Sequence, residues 1–250
     1  QLRQINNTQA SIILEPCAKN TAPAITLAAL QAQELYPNKN VSLLVLSADH
    51  HIADVSTFER TILVAKQQAQ LEQLVVFGVT PTEPHTGYGY IQLGQPVEEK
   101  SVYKLDKFVE KPDLQIAKHY VSSKNYLWNS GMFMFQTSVF LQELQHFQAN
   151  IYECCLSAWK NKSIDLDFTR IGLQDFQQCP ENSIDYTIME NTTHGVVVCL
   201  EAGWNDLGSW PSLWQSNPKT HNQNVIFGDV IAEQSQCNYI YSSSRLVTVL

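Results

Sequence analysis

Basic side chains are scarce in this sequence: 16 Lys and Arg stand against 24 Asp and Glu, a formal net charge of −8 over 250 residues. A general nucleic-acid binder needs a basic surface to displace counterions from phosphates, so that class is excluded, although an acidic protein can still hold one nucleotide locally. Long apolar runs are missing too. Nothing approaches the roughly 20 residues needed to span a bilayer, and the opening Gln1-Leu2-Arg3-Gln4 has no signal-peptide core. These absences predict a cytoplasmic protein with no membrane partner. Metal-type cysteine spacing is also absent. Of the six cysteines, Cys154 and Cys155 are adjacent and the others lie far apart, so neither a zinc site nor a disulfide framework is signalled and reduced thiols are expected.

What is present is ordinary globular material, 44% hydrophobic and 10% aromatic, enough for one sizeable core. Residues 11–14 read as a short strand. Residues 23–35 carry apolar side chains at helical spacing, with Asn20 or Thr21 as cap and Pro23 in the first turn. The unit then repeats: strand 41–46, a loop bearing Asp49, helix 58–71, strand 74–77. Strands alternating with helices predict parallel βαβ units. Residues 87–94 form a Gly/Tyr loop entering a strand, and 103–112 alternate like an edge or mixed-sheet strand ended by Pro112, before a helix over 113–121. "WNSGMFMF" (128–135) reads as a loop running into an apolar strand. Helices follow over 138–160 and around 186–189, then a buried strand over 195–200. From about residue 224 only short strands appear, the start of a second, all-β region.

Two aspartates, Asp49 and Asp206, each follow a strand. In a parallel sheet that brings them to one edge, where open α/β sheets collect their ligands. Such a pair suits Mg²⁺, a hard ion that takes one or two carboxylates, several waters and substrate phosphate oxygens.

The motifs "ILEPCAKNTAPAI", "SADHHIAD", "TGYGYIQLG", "FVEKP", "WNSGMFMF", "SIDYTIME" and "GWNDLGSW", in that order, resemble the bacterial mannose-1-phosphate guanylyltransferases (GDP-mannose pyrophosphorylases) over essentially the whole chain. The resemblance implies an α/β fold: a nucleotidyltransferase-type, Rossmann-like mixed sheet with flanking helices over residues 1–223, followed by the start of a small β-helix-like region over 224–250. It implies that mannose 1-phosphate attacks the α-phosphorus of GTP to give GDP-mannose and pyrophosphate, for polysaccharide biosynthesis, with Mg²⁺ on Asp49 and Asp206. Glu15 would accept hydrogen bonds from guanine N1–H and the N2 amino group, which adenine cannot satisfy. Asn20 and Thr21, at a helix start, would offer backbone N–H groups to base or ribose, besides a plain capping role. Gly87 and Gly89 would let the backbone approach the sugar, Glu110 would accept from its hydroxyls, Asn129 would donate and accept, and Lys111 would supply charge for the sugar phosphate. Tyr88, Tyr90, Phe108 and Met132 read as wall and core. His50 and His51 look like a metal pair, but adjacent residues in an extended segment point to opposite sides. The partners implied are GTP, mannose 1-phosphate and GDP-mannose; a homodimer is compatible.

The sequence departs from the family pattern in places. Its glycine-rich phosphate loop and nearby Pro-Lys would lie before Gln1; there is no initiator Met, and the chain stops inside the apolar run "RLVTVL", so a fragment, inactive by itself and with an uncovered sheet edge, is expected. Lys19 stands where Arg is usual, losing a planar fork, and Asn191 stands where Lys is usual. The rival reading is a non-catalytic sugar-nucleotide-binding or regulatory paralogue. A DHH-type phosphoesterase, suggested by "ADHH", lacks the further Asp- and His-bearing motifs it would need.

Overall fold

A computed structural model of the chain describes residues 10–97 and 101–250, so the N-terminal tetrapeptide discussed above lies outside the described residues. In chain order the elements begin β1 (Ile12–Leu14), α1 (Thr21–Leu35), β2 (Ser42–Val45), β3 (His51–Ile52), α2 (Val55–Gln70), β4 (Leu74–Val79), β5 (Tyr90–Pro96) and β6 (Val102–Val109). They continue with α3 (Leu114–Ser123), β7 (Tyr126–Gln136), α4 (Thr137–Phe147), α5 (Ala149–Lys160), β8 (Ser163–Asp165), β9 (Phe168–Arg170), α6 (Leu173–Gln177) and a π-helical turn (Asp185–Met189). The last are β10 (Gly195–Cys199), β11 (Trp204–Asn205), α7 (Trp210–Ser216), β12 (Val225–Phe227), β13 (Val230–Ala232), β14 (Tyr239–Tyr241) and β15 (Val247–Val249). The chain packs as two compact units. The first holds the described residues up to Leu46 together with Thr61–Leu200; the second holds Ser47–Arg60 and Glu201–Leu250. A boundary at 223/224 therefore falls inside the second unit.

The first unit is built on a six-stranded sheet in the order β2-β7-β4-β10-β6-β5, with β5 also pairing to β7. The sheet is mixed, as the resemblance implied, and the parallel βαβ expectation holds only in direction: β2 and β4 run the same way, but antiparallel β7 lies between them. Among the described pairings of this sheet β10–β4 is parallel, while β2–β7, β4–β7, β10–β6, β5–β6 and β5–β7 are antiparallel. β4 and β10 are central, and their apolar runs LVVFGV and GVVVC are buried along nearly their whole length, as strands covered on both faces must be. α1 is capped by Asn20, whose side-chain oxygen accepts from Thr21 N at 2.8 Å, and it buries Ala22, Ile25, Leu27, Ala29 and Leu30. It packs on α4 and α5. Phe135 at the end of β7 stacks on Phe140 of α4 with ring centroids 4.8 Å apart, both fully buried, and each contributes about 1.5–3 kcal/mol by leaving water. A separate small sheet, β1-β9-β8, carries the segment that leads to Glu15.

β7 differs most from its sequence reading. "WNSGMFMF" lies wholly inside this 11-residue strand, with no loop within the motif. The glycine is explained by a bulge: Val76 of β4 faces Phe133, whereas Gly78, two residues on, faces Asn129, so Ser130–Met132 hold extra length. Gly131 takes φ +71°, a left-handed conformation open to glycine at little cost. Ser130 Oγ closes the bulge by donating to Phe77 O at 2.8 Å.

In the second unit β3 and β11 form an antiparallel ribbon, with Trp204 opposite Ile52 and Asn205 opposite His51. The first turn of α2 is capped by Asp54, and α7 starts at Ser209, whose Oγ accepts from Ser212 N, with Pro211 in its first turn. Beyond it lie the expected short strands, paired in parallel as β12–β14 and β13–β15. No described helix is long and apolar enough to cross a membrane.

Candidate active site

The bulge in β7 places Asn129 at the edge of a polar cluster in the first unit. Its backbone N–H donates to Gly89 O at 2.8 Å, joining the Gly/Tyr loop to the strand. Its side-chain Oδ1 accepts from Gly131 N at 3.0 Å, and its Nδ2 donates to Asp185 Oδ1 at 2.9 Å. The chain leaves β6 through Glu110 and Lys111, whose carboxylate and ammonium lie 3.1 Å apart; Glu110 is 13% exposed at the side chain and Lys111 62%. Lys111 has φ +47°, a conformation costing a non-glycine residue roughly 1–2 kcal/mol, so the turn is held by its surroundings. Gly89 is needed for close approach: a Cβ there would stand 2.5 Å from Glu110 Oε2 and 3.3 Å from Asn129 Cβ. Gly87 is held differently, donating its N–H to His85 Nδ1 at 3.1 Å, and His85 stacks on Tyr88. Beside them Trp128 is buried, with its indole N–H lacking a partner among the described residues.

Four of the sequence-derived residues, Gly89, Glu110, Lys111 and Asn129, thus converge, and a residue given no role from sequence joins them. Asp185 opens the π-helical turn between Ile184 and the buried Thr187, Ile188 and Met189. Burial, then the neighbouring charge of Glu110, pushes its carboxyl pKa up. Glu190 is raised in the same way, by burial and then by Glu110 and Asp185. Glu110, through hydrogen bond and charge, pushes the Lys111 pKa up and keeps it cationic. The signal available in the sequence was an acid set among apolar residues in the motif "SIDYTIME", whose other acid, Glu190, closes it.

The start of α1 is sewn to the segment preceding Asp185. Ala22 N donates to Asn182 O at 3.2 Å, Asn182 N to Lys19 O at 3.3 Å, and Ile184 N to Thr21 Oγ1 at 3.0 Å. The Thr21 and Ala22 N–H groups are therefore engaged inside the protein, and Pro23 has none, which favours the capping role of Asn20 over donation by these groups to a ligand. Asn20 adopts φ 69°, ψ −170°, a strained conformation of the kind found at ligand clamps. Glu15 follows β1. It is exposed as a residue, yet neighbouring atoms partly desolvate its carboxylate and push its pKa up.

Asp49 and Asp206 both belong to the second unit. Each lies just beyond the antiparallel β3–β11 ribbon: Asn205 faces His51, Asp206 follows β11 directly, and Asp49 stands two residues before β3. Asp206 Oδ1 accepts from Gly208 N at 3.2 Å, turning the loop back over itself. His50 Nδ1 accepts the Trp204 indole N–H at 3.1 Å, so that nitrogen already has a structural duty. Among the described residues no group of three or more His, Cys, Asp or Glu could hold a metal by itself. Two accessible carboxylates do fit an ion that draws its remaining ligands from water and phosphate, as Mg²⁺ does.

A family model described as "Nucleotidyl transferase" matches residues 1–223. The chain is 46% identical over 250 residues to a mannose-1-phosphate guanylyltransferase of Salmonella muenchen, covering 100% of this chain and 53% of that protein. It is 44% identical over 253 residues to a mannose-1-phosphate guanylyltransferase of Escherichia coli K12, with 100% and 53% coverage. The chain spans about half the length of the curated relatives it matches. Among solved structures, one described as mannose-1-phosphate geranyltransferase from Thermus thermophilus superposes with TM-score 0.84 at 27% identity, over 100% of this chain and 71% of that one. One described as mannose-6-phosphate isomerase from Helicobacter pylori gives TM-score 0.72 at 32% identity, over 82% and 78%. The family match, extending over residues 1–223, shows that this chain belongs to the nucleotidyl transferase family.

Proposed function

We propose that this chain is the catalytic part of a cytoplasmic enzyme that makes GDP-mannose from GTP and mannose 1-phosphate for polysaccharide biosynthesis. A phosphate oxygen of the sugar phosphate attacks the α-phosphorus of GTP; the bond from that phosphorus to the bridging oxygen breaks, and pyrophosphate leaves. Little covalent chemistry is asked of the protein, so the rate comes from alignment and from charge stabilisation. Glu110 and Asn129 hold sugar hydroxyls, Gly89 gives the sugar backbone access, and Lys111 faces the sugar phosphate. Gly87 shapes the same loop. Glu15 reads the guanine edge, with Asn20 and Thr21 shaping the adjoining turn. Asp49 and Asp206 would hold Mg²⁺, which when bound neutralises charge on the triphosphate.

The observation that carries this reading is the convergence of Gly89, Glu110, Lys111 and Asn129 on one cluster, in a chain 46% identical to a guanylyltransferase. An acceptor, a donor and a cation at a glycine-lined surface are what a sugar phosphate requires. The test is pyrophosphate release by the intact protein from each of the four NTPs, with mannose 1-phosphate and Mg²⁺. GTP should be used fastest. A preference for another NTP would remove the guanine assignment, and tight GDP-mannose binding without release from any NTP would identify a non-catalytic binding protein.

A further inference from the structure

The two polar ends of the Asn129 amide are not equivalent. Gly131 N–H donates to Oδ1 at 3.0 Å and Asp185 Oδ1 accepts from Nδ2 at 2.9 Å. Rotating the amide by half a turn would set its oxygen against a carboxylate and its NH₂ against an N–H donor. Both bonds would be lost, one of them to a charged group, and that loss is enough to hold one orientation. The amide then has one N–H and one oxygen lone pair left, in fixed places. Asp185 is itself restrained: it opens the π-helical turn, whose following residues Thr187, Ile188 and Met189 are buried, and Ile184 before it is tied to Thr21 Oγ1 at 3.0 Å. Glu110, which could only accept from a sugar when ionised, borders the same group.

We propose that Asp185 is a positioning residue that locks the Asn129 amide in one orientation and thereby determines which hydroxyl arrangement of the hexose phosphate is accepted. This rests on the sugar-binding role proposed above for Asn129. Asp185 touches no reacting atom; it acts through Asn129, leaving Asn129 to donate and Glu110 to accept.

The intact protein is compared with Asp185→Ala and Asp185→Asn, reading kcat and KM separately for GTP, mannose 1-phosphate and its epimer glucose 1-phosphate. Asp185→Ala should raise KM for mannose 1-phosphate by roughly 10-fold, change kcat and the GTP KM by less than about 3-fold, and shrink the mannose-to-glucose preference. Asp185→Asn retains an acceptor oxygen and should recover the wild-type KM and selectivity to within about 3-fold. A purely structural role would move thermal stability and the GTP KM together and leave selectivity alone, and that result overturns the proposal. So does Asp185→Asn as impaired as Asp185→Ala. A readout independent of turnover keeps the two readings apart: the Asn129 side-chain amide protons, assigned by their absence in Asn129→Ala, should be slow to exchange in the wild type and fast in Asp185→Ala. Fast exchange in the wild type refutes the lock. Slow exchange in a protein with no GDP-mannose synthesis would keep the lock and remove its proposed role in sugar selection.

Discussion

Replacing Gly89 with alanine tests the sugar site with the smallest possible perturbation. The added methyl would meet Glu110 Oε2 at 2.5 Å, Asn129 Cβ at 3.3 Å and Phe108 Cζ at 3.4 Å. The last two contacts are relieved by shifts of a few tenths of an ångström; the first is far inside contact, so the carboxylate must move. It can do so because it ends a flexible side chain, and Gly89 lies outside the left-handed region, so the backbone is not strained. Moving it breaks the 3.1 Å pair with Lys111, whose side chain is 62% exposed. Such a pair is worth about 0–1 kcal/mol, so the melting temperature should fall by no more than about 4 °C. The functional loss should be larger. A hydrogen bond from a sugar hydroxyl to a charged acceptor contributes roughly 1.5–3 kcal/mol, which is about 10- to 150-fold in kcat/KM for mannose 1-phosphate. Pyrophosphate release with mannose 1-phosphate varied at saturating GTP, beside a thermal melt, separates the two effects. Sugar-phosphate kinetics within about twofold of wild type would refute the placement of Glu110 against the substrate, and loss of the folded state would refute the view that only the carboxylate moves.

Asp206→Ala should abolish Mg²⁺-dependent turnover, a loss of several kcal/mol of charge stabilisation, while circular dichroism reports an intact fold; near-normal turnover counts against the metal assignment. Glu15→Gln should lower the GTP-to-ATP ratio of kcat/KM by roughly 1–3 kcal/mol, because an amide brings a donor against guanine's donors. Burial holds the Glu15 pKa above its ordinary 4.5, so the wild-type GTP KM should rise on the acid side at a higher pH than a free glutamate would give; a flat profile down to pH 4.5 speaks against base reading by this group. Asp54→Ala should lower the melting temperature, because Asp54 accepts from Thr57 N at 3.0 Å, Thr57 Oγ1 at 2.6 Å and Ser56 Oγ at 2.8 Å at the start of α2. Those bonds, the Thr57 hydroxyl first, hold its pKa well below the usual carboxylate range. The contribution is therefore complete above the unfolded-state pKa of about 3.9 and fades as pH falls below it, so the gap between wild type and variant should narrow in melts run under about pH 4.

Much of the architecture was legible in local sequence. The Asn20 cap and Pro23 marked the start of α1, the continuous apolar runs marked β4 and β10 as buried, and the loss of helical periodicity marked the short strands from Val225 onward. These features depend on caps, periods and propensities spanning a few residues. Asp49 and Asp206 were readable as acids following apolar strands, whereas Glu110, Lys111 and Asn129 became candidates through the resemblance of "FVEKP" and "WNSGMFMF" to a known family.

Pairing direction, register and the company each candidate keeps were decided by tertiary structure. An apolar run buried on both faces reads the same whether its neighbours run parallel or antiparallel, so which strands of the expected mixed sheet are neighbours, with β7 antiparallel to β2, β4 and β5, was not legible locally. Asp49 and Asp206 stand just outside the β3–β11 ribbon, whose register no local pattern in two-residue strands specifies. Asp185 was passed over for the same reason. Its partner Asn129 is 56 residues away, and the two meet at 2.9 Å only because the bulge at Ser130–Met132 re-aims one strand while the ties at Thr21 and Asn182 hold the π-helical turn against it. Local chemistry names the groups a chain can use; their orientation is a property of long-range pairing, which emerges only when the burial of the whole core is satisfied at once.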